Sequence, residues 1–77
     1  MNIKEQLQEV FRDVFDDDSI EIFDAMTAKD IEDWDSLAHM QLIVAIEKSF
    51  QVKFTTKEVI KVQNVGEFIQ LIESKVN

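Results

Sequence analysis

Apolar residues recur at steps of three and four along the chain, and this spacing restricts the fold more than any other feature. The first such segment carries Ile3, Leu7, Val10, Phe11, Val14 and Phe15. A period near 3.6 places these side chains on one face of an amphipathic α-helix. No segment alternates as a half-buried strand would. The pattern therefore predicts an all-α fold.

Three further helices are predicted from the same spacing. The second runs over residues 36–50, the third is short and contains residues 59–60, and the fourth follows Asn64. The apolar stripe of the fourth helix is Val65, Phe68, Ile69 and Ile72. We therefore expect a single domain over residues 1–77, folded as a small four-helix bundle.

Residues that cap helices precede three of these segments. They are Asn2 with Glu5, Thr55 or Thr56 with Glu58, and Asn64 with Glu67. A short polar side chain at the N-cap accepts a hydrogen bond from a backbone N–H of the first turn, and a glutamate three residues on can return one. These pairs predict where the first, third and fourth helices begin.

Residues 16–35 separate the first two helices, lack a helical period and are rich in Asp. Loops of this length are uncommon in compact domains and are often functional. We expect its apolar residues to fix the loop to the core; they are Ile20, Ile22, Phe23 and Ile31. Trp34, at its end, is expected to support the loop and not to bind a ligand.

The charge is distributed unevenly. Residues 1–35 carry 12 acidic and 3 basic side chains, whereas residues 36–77 carry 4 acidic and 5 basic ones. Nucleic acid is an unsuitable partner, because phosphate contacts need clustered Lys and Arg. Either the acids serve only solubility, or they attract basic protein surfaces. An acidic helical interaction module without a prosthetic group is therefore one candidate function.

Several other classes of protein are disfavoured. The chain has no cysteine, so any thiol chemistry must come from a cofactor. Its longest apolar run, Leu42 to Ile46, is far shorter than the roughly 20 residues that span a membrane. The N-terminus does not have the pattern of a signal peptide. We expect a cytoplasmic monomer that does not insert into membranes.

Ser36 lies at the predicted start of the second helix, between Asp35 and Leu37. A serine in a first turn holds its hydroxyl beside backbone N–H groups that have no partner within the helix. A phosphate attached there would meet those donors and the positive end of the helix dipole. Ser36 is therefore the predicted attachment site for a phosphate-linked group.

Projected at 100° per residue, the second helix has two faces. His39, Leu42, Ile46 and Phe50 share the side that we expect to face the core. The opposite side comprises Leu37, Met40, Gln41, Val44, Glu47 and Lys48. Its apolar members either pack against the long loop or remain exposed to dock a partner. Their position beside Ser36 favours docking.

Other chemistry has less support. Ser36 and His39 are one turn apart, but no group is evident to orient the histidine and no G-x-S-x-G segment is present, so we expect no hydrolase. We expect His39 to be buried and hydrogen-bonded. Asp16 does not open an EF-hand loop, because Glu21 and Thr27 stand where Gly and Glu are required. No metal site is predicted.

The segment Asp35-Ser36-Leu37, followed by Leu42, Ala45-Ile46-Glu47 and Phe50, resembles the acyl carrier protein family. In that family Asp-Ser-Leu opens the second helix, and an aliphatic-Glu-x-x-Phe pattern closes it. Val65-Gly66-Glu67-Phe68-Ile69 resembles the family's fourth helix. Chain length, acidity and the long first loop agree with this, so the resemblance covers essentially the whole chain.

The resemblance implies a function. A phosphopantetheinyl transferase, using coenzyme A and a magnesium ion, would place 4′-phosphopantetheine on Ser36. The thiol of this arm would then carry acyl groups as thioesters between acyl-loading and acyl-transferring enzymes, and the chain itself would not be an enzyme. Asp35 would help the transferase to recognise the site, and Leu37 would insert into partner enzymes.

The chain also departs from the pattern of carriers in bulk fatty acid synthesis. Those carriers have a strongly acidic second helix, whereas this chain has Ala38, Gln41 and Lys48 there, and Glu47 is the remaining acid. Trp34 and His39 also replace smaller or acyclic residues. These differences favour a specialised pathway, such as polyketide, polysaccharide-modifying or aminoacyl chemistry.

Overall fold

A computed structural model describes residues 2–31 and 33–76. Its helices are α1 (Ile3–Phe15), α2 (Ser36–Phe50), α3 (Thr56–Lys61) and α4 (Val65–Val76). The described residues contain no strand. The all-α prediction, with a long first connection and a short third helix, is confirmed.

The caps begin the helices where the sequence predicts. Asn2 Oδ1 accepts from Glu5 N–H and Asn64 Oδ1 from Glu67 N–H, each at 2.8 Å. Thr55, and not Thr56, caps α3: Glu58 N–H donates to its hydroxyl, and its own N–H donates to Glu58 Oε1. Local polar contacts therefore fix the start of each of these helices.

The core lies where α1 packs against α2 and α4. Its fully enclosed side chains are Leu7, Phe11, Leu42, Ile46, Val65, Phe68 and Ile72. The inner face of α2 thus faces the core as predicted, but two of its residues are less buried than expected. Phe50 and His39 are only half-buried, since each lies near an end of the helix.

The long loop runs beside α1 in the opposite direction. The Arg12 Nε–H group donates to the Ile20 carbonyl at 2.8 Å, and Ile22 N–H donates to Gln8 Oε1 at 3.1 Å. Two residues of extended chain span about as much length as four residues of helix. This match lets alternate loop residues contact successive turns of α1.

The same alternation shows that the prediction of Phe23 as a loop anchor is wrong. Ile20 and Ile22 point inward and are buried, whereas Phe23, the next residue in the extended segment, is 46% exposed. Side chains alternate across an extended chain, so Phe23 cannot share the inward face with Ile22. Ile31 is half-buried against the core, as expected of a loop anchor.

The loop is also joined to the start of α4. Val65 N–H donates to the Met26 carbonyl at 3.0 Å, and Gly66 N–H donates to the Asp24 carbonyl at 2.8 Å. A Cβ on Gly66 would approach Asp24 O to 3.1 Å. The absence of a side chain at this position therefore permits the close approach of loop and helix.

The short helix α3 is attached mainly through polar groups. None of its residues is buried. Glu58 forms an ion pair with Lys75 of α4 at 3.0 Å, and the Lys75 ammonium lies 5.8 Å from the centre of the Phe54 ring. Val62, just after α3, is the nearest buried apolar anchor.

Candidate functional site

Ser36 is the first residue of α2 and is exposed. The preceding residue, Asp35, is extended and caps the helix: its Oδ1 accepts a hydrogen bond from Ala38 N–H at 2.8 Å. The predicted helix start is thus confirmed, and Asp35 has a structural function that the sequence analysis did not assign. The cap holds the Ser36 hydroxyl at a defined point on the surface.

The backbone at this end of α2 offers donors. Within the residues described, the N–H groups of Ser36 and Leu37 have no acceptor, while Ala38 N–H is used by Asp35. Free N–H groups at a helix N-terminus favour an anion such as a phosphodiester. An exposed hydroxyl beside two such donors fits a phosphate-linked group attached through Ser36.

Trp34 anchors the chain immediately before this site. Its indole is buried, with its centroid 5.3 Å from that of Phe11 in an edge-on arrangement. The backbone N–H of Trp34 donates to the Ile31 carbonyl at 3.1 Å. The expectation that Trp34 supports the loop is confirmed, and the rigid attachment of Trp34 fixes the entry of the chain into α2.

His39 is bound to Trp34 and is not presented to Ser36. The indole Nε1–H donates to His39 Nδ1 at 3.2 Å, and the two rings have nearly parallel planes with centroids 6.1 Å apart. The histidine is therefore hydrogen-bonded as expected, although half-buried and not buried. The bond to Trp34 occupies the ring nitrogen that a buried partner could use to orient a catalytic base.

The outer face of α2 is open to solvent near Ser36. Leu37 is 69% exposed, Met40 53% and Val44 47%. Of the two interpretations of these residues, packing against the loop is wrong and exposure is confirmed. Gln41 and Lys48 are exposed as well. Large apolar side chains left in water beside a reactive group are typical of a protein interaction surface.

Glu47 differs from the other residues predicted on this face. It is half-buried, and its Oε2 accepts a hydrogen bond from Phe54 N–H at 2.8 Å. The carboxylate therefore caps the backbone of the α2–α3 connection. Helical projection treats α2 as an isolated rod, so it could not show that the following segment folds back onto Glu47.

A groove that the sequence did not predict is lined by Trp34 and His39, which flank Ser36 in the sequence. It has a volume of ≈ 470 Å³, and its lining includes Lys29, Trp34, His39, Val62 and Gln63. The long loop, the first turn of α2 and the α3–α4 connection supply these side chains. One feature of the sequence could have pointed to this groove: Lys29 is the only basic residue among residues 16–35.

The described residues of the acidic loop form no cluster of candidate metal ligands. Among residues 2–31 and 33–76, no three side chains of His, Cys, Asp or Glu converge. Asp17 instead accepts hydrogen bonds from the hydroxyl and backbone N–H of Ser19, which lower the pKa of its carboxyl. No helix in the part of the chain described is long and apolar enough to cross a membrane.

Comparison with known proteins identifies the family. The sequence model of the family described as phosphopantetheine attachment site matches residues 5–72. The holo acyl carrier protein of Geobacter metallireducens, solved by NMR, superposes with a TM-score of 0.92 at 43% identity, covering 99% of this chain and 87% of the other. The chain belongs to the acyl carrier protein family. None of the curated proteins matches.

Family membership settles the chemistry at a general level. This acyl carrier protein is a carrier and not an enzyme, and its prosthetic group is covalently attached 4′-phosphopantetheine. An interaction module without a prosthetic group is thereby excluded. Phosphopantetheinyl transferases and acyl-handling enzymes are the general class of its partners. The arm supplies the thiol that the cysteine-free chain lacks.

Proposed function

We propose that Ser36 carries the 4′-phosphopantetheine arm and that the chain, acting as one domain, delivers acyl thioesters in a specialised biosynthetic pathway. The observation that carries the proposal is an exposed serine at the first position of α2, inside the region that the family matches. The roles proposed below for Asp35 and for the outer face of α2 follow from where these residues lie relative to the Ser36 hydroxyl.

The hydroxyls of the other serines support this choice. Ser19 Oγ donates to Asp17 Oδ1 at 2.6 Å, Ser74 Oγ donates to the Leu71 carbonyl at 2.7 Å, and Ser49 Oγ accepts from Gln6 at 2.9 Å. Each takes part in a hydrogen bond, and Ser74 lies outside the matched region. Ser36 is the serine whose hydroxyl has no hydrogen bond among the described residues.

The start of α2 also suits the product of modification. A phosphodiester on Ser36 would accept from the free N–H groups of Ser36 and Leu37 and meet the positive end of the helix dipole. Asp35 already occupies the Ala38 N–H group. We propose that Asp35 presents the site to the transferase by capping α2.

Partner enzymes would dock on the outer face of α2. Leu37 provides the most exposed apolar contact, followed along the helix by Met40 and Val44. Gln41 and Lys48 border this strip. Glu47 lies on the same docking face, although its carboxylate accepts a hydrogen bond from Phe54 N–H. An apolar strip with a polar border is the usual composition of a transient protein interface.

The charge of this face supports a specialised pathway. Gln41 and Lys48 lower the negative potential that basic residues of partners for bulk fatty acid synthesis would meet. Glu47 is the one acid on this face, and its carboxylate accepts from Phe54 N–H. We propose cognate enzymes that recognise the apolar strip more than an acidic helix. Polyketide, polysaccharide-modifying and aminoacyl pathways remain the candidates.

The test is the intact mass of the apo protein after incubation with a broad-specificity phosphopantetheinyl transferase, coenzyme A and magnesium. The protein should gain the mass of one phosphopantetheine, and Ser36→Ala should gain none. Ser49→Ala is the matched control, because it removes a serine hydroxyl from the same helix and should still be modified. Modification of Ser36→Ala would disprove the proposed site.

A further inference from the structure

The groove beside Ser36 is floored by a bonded pair of rings. Trp34 and His39 flank Ser36 in the sequence, and both line the groove. Their ring planes are inclined by only 14°, and the indole Nε1–H donates to His39 Nδ1 at 3.2 Å. The pair therefore acts as one flat, hydrogen-bonded surface beneath the space that an arm from Ser36 can reach.

This pair covers the bundle interior. Behind it, the Trp34 ring lies 5.3 Å from Phe11, and the His39 ring lies 5.7 Å from Phe68, centroid to centroid. Rings at these separations are in contact. Phe11 and Phe68 are fully enclosed. An acyl chain that entered the core past Trp34 and His39 would have to displace packed rings.

Moving the pair apart would also break its hydrogen bond. Trp34 is buried, so its indole N–H would be left without an acceptor, which is unfavourable. Because Nδ1 accepts from Trp34, the neutral His39 ring carries its proton on Nε2. Burial of methylenes in the core would thus be opposed by lost ring packing and a lost hydrogen bond.

The border of the groove is polar. Lys29 and Gln63 line it together with His39, and these side chains offer N–H donors. Lys29 is the only Asp, Glu, Lys or Arg in this lining, but the net charge of −8 on the whole chain opposes a further negative charge on the cargo. A volume of ≈ 470 Å³ that is open to solvent suits a short group. The fitting cargo is short and uncharged, with an oxygen that accepts a hydrogen bond.

We propose that the Trp34–His39 pair excludes long aliphatic cargo from the bundle interior and that this carrier takes short, neutral acyl groups with a polar oxygen in the groove above the pair. This inference rests on the proposed attachment of the arm to Ser36. It assigns His39 as a determinant of cargo length that acts through ring volume and through its bond to Trp34.

The test loads the full chain from decanoyl-, butyryl- and 3-hydroxybutyryl-coenzyme A with a broad-specificity transferase, checked by intact mass. Urea unfolding, followed by the fluorescence of Trp34, the single tryptophan, then reports burial of the cargo. In the unmodified sequence, the decanoyl and holo forms should unfold at the same midpoint. In His39→Ala, decanoyl should raise the midpoint by about 1 M or more over the holo form of that variant.

Two comparisons sharpen the test. His39→Phe keeps a ring without the Nδ1 acceptor, so decanoyl should raise its midpoint by less than in His39→Ala and by more than in the unmodified sequence. The 3-hydroxybutyryl group should shift the backbone amide NMR signals of Lys29 and Gln63, whereas butyryl, with the same carbon count, should not. If His39→Ala fails to fold, the decanoyl result on the unmodified sequence decides alone.

The outcomes separate the two proposals. Decanoyl stabilisation of the unmodified sequence, or of His39→Phe as strongly as His39→Ala, overturns the exclusion by the ring pair while the carrier site stands. Equal amide shifts with butyryl and 3-hydroxybutyryl overturn the preference for polar cargo. Absence of any mass gain overturns the attachment at Ser36, and this inference with it.

Discussion

Helices α2 and α3 are held in the bundle by different forces. The inner face of α2 buries Leu42, Ile43 and Ile46, whereas α3 buries none of its residues. The Glu58–Lys75 ion pair joins α3 to α4, and Val59, which is only partly buried, packs against the core. The position of Ser36 therefore depends on extensive apolar packing, whereas α3 itself depends on an ion pair and one partly buried side chain.

The largest expected difference between the two helices is in stability. Ile46→Ala removes a fully buried side chain of α2 and should lower the free energy of unfolding by about 2–5 kcal/mol. Ile60→Ala removes a 71% exposed side chain of α3 and should change it by about 0.5 kcal/mol or less. Urea unfolding measures both. Similar losses from the two variants would show that α3 is anchored by apolar packing after all.

A second prediction compares two exposed residues. Leu37 of α2 and Ile60 of α3 are 69% and 71% exposed, so truncating either should cost little stability. Leu37→Ala should nevertheless lower kcat/KM for the phosphopantetheinyl transferase by about tenfold, because apolar anchors carry much of the energy of an interface. Ile60→Ala serves as the matched control and should be modified at nearly the normal rate. Equal losses would place the docking surface on both helices.

Sequence spacing was sufficient for the parts of the molecule that depend on regular geometry. The faces of α2 follow from the helical period, and its start at Ser36 follows from the place where this period begins. The exposure of Leu37 follows for the same reason. The candidate attachment site could therefore be identified before any coordinates were known.

Apart from the Asp35 cap, the features that sequence reasoning missed depend on segments folding back on one another. Phe23 is exposed because the loop runs extended beside α1, and Glu47 is half-buried because the α2–α3 connection returns to it. The groove lined by Lys29 and Gln63 joins segments that are far apart in sequence. Periodicity within one element carries no information about such contacts.

A smaller effect is expected from charge on the outer face of α2. Lys48→Glu, alone or with Gln41→Glu, should raise the rate of loading by a fatty-acid-type malonyl transferase by about two- to fivefold, because it adds negative potential for basic partners. The gain should decrease with salt, since exposed charges are screened over about 8–10 Å at physiological ionic strength. Lys57→Glu makes the same charge change on α3 and should have less effect. If the unmutated protein is already loaded as fast as a bulk fatty acid carrier, the proposal of a specialised pathway fails while the carrier function stands.

The smallest expected effect concerns pH and α3. The backbone N–H of Thr55, and then Lys75, lower the pKa of Glu58 from its ordinary value of 4.5. A carboxyl with a lowered pKa in the folded state stabilises the fold above its ordinary pKa, and this contribution is lost as pH falls through the lowered value. The Tm difference between the unmutated protein and Glu58→Gln should therefore shrink as pH is lowered below about 4.5. A difference that stays constant to lower pH would contradict a charged Glu58 contact.

The central claim is that the rigidly held start of α2 carries the arm on Ser36, and its most direct test is to locate the attached group. The transferase-treated protein is digested, and the modified peptide is sequenced by tandem mass spectrometry. The account predicts that the mass of phosphopantetheine lies on Ser36 and on none of Ser19, Ser49 or Ser74. Phosphopantetheine on one of those serines, or a fully active holo protein with an unmodified Ser36, would contradict it.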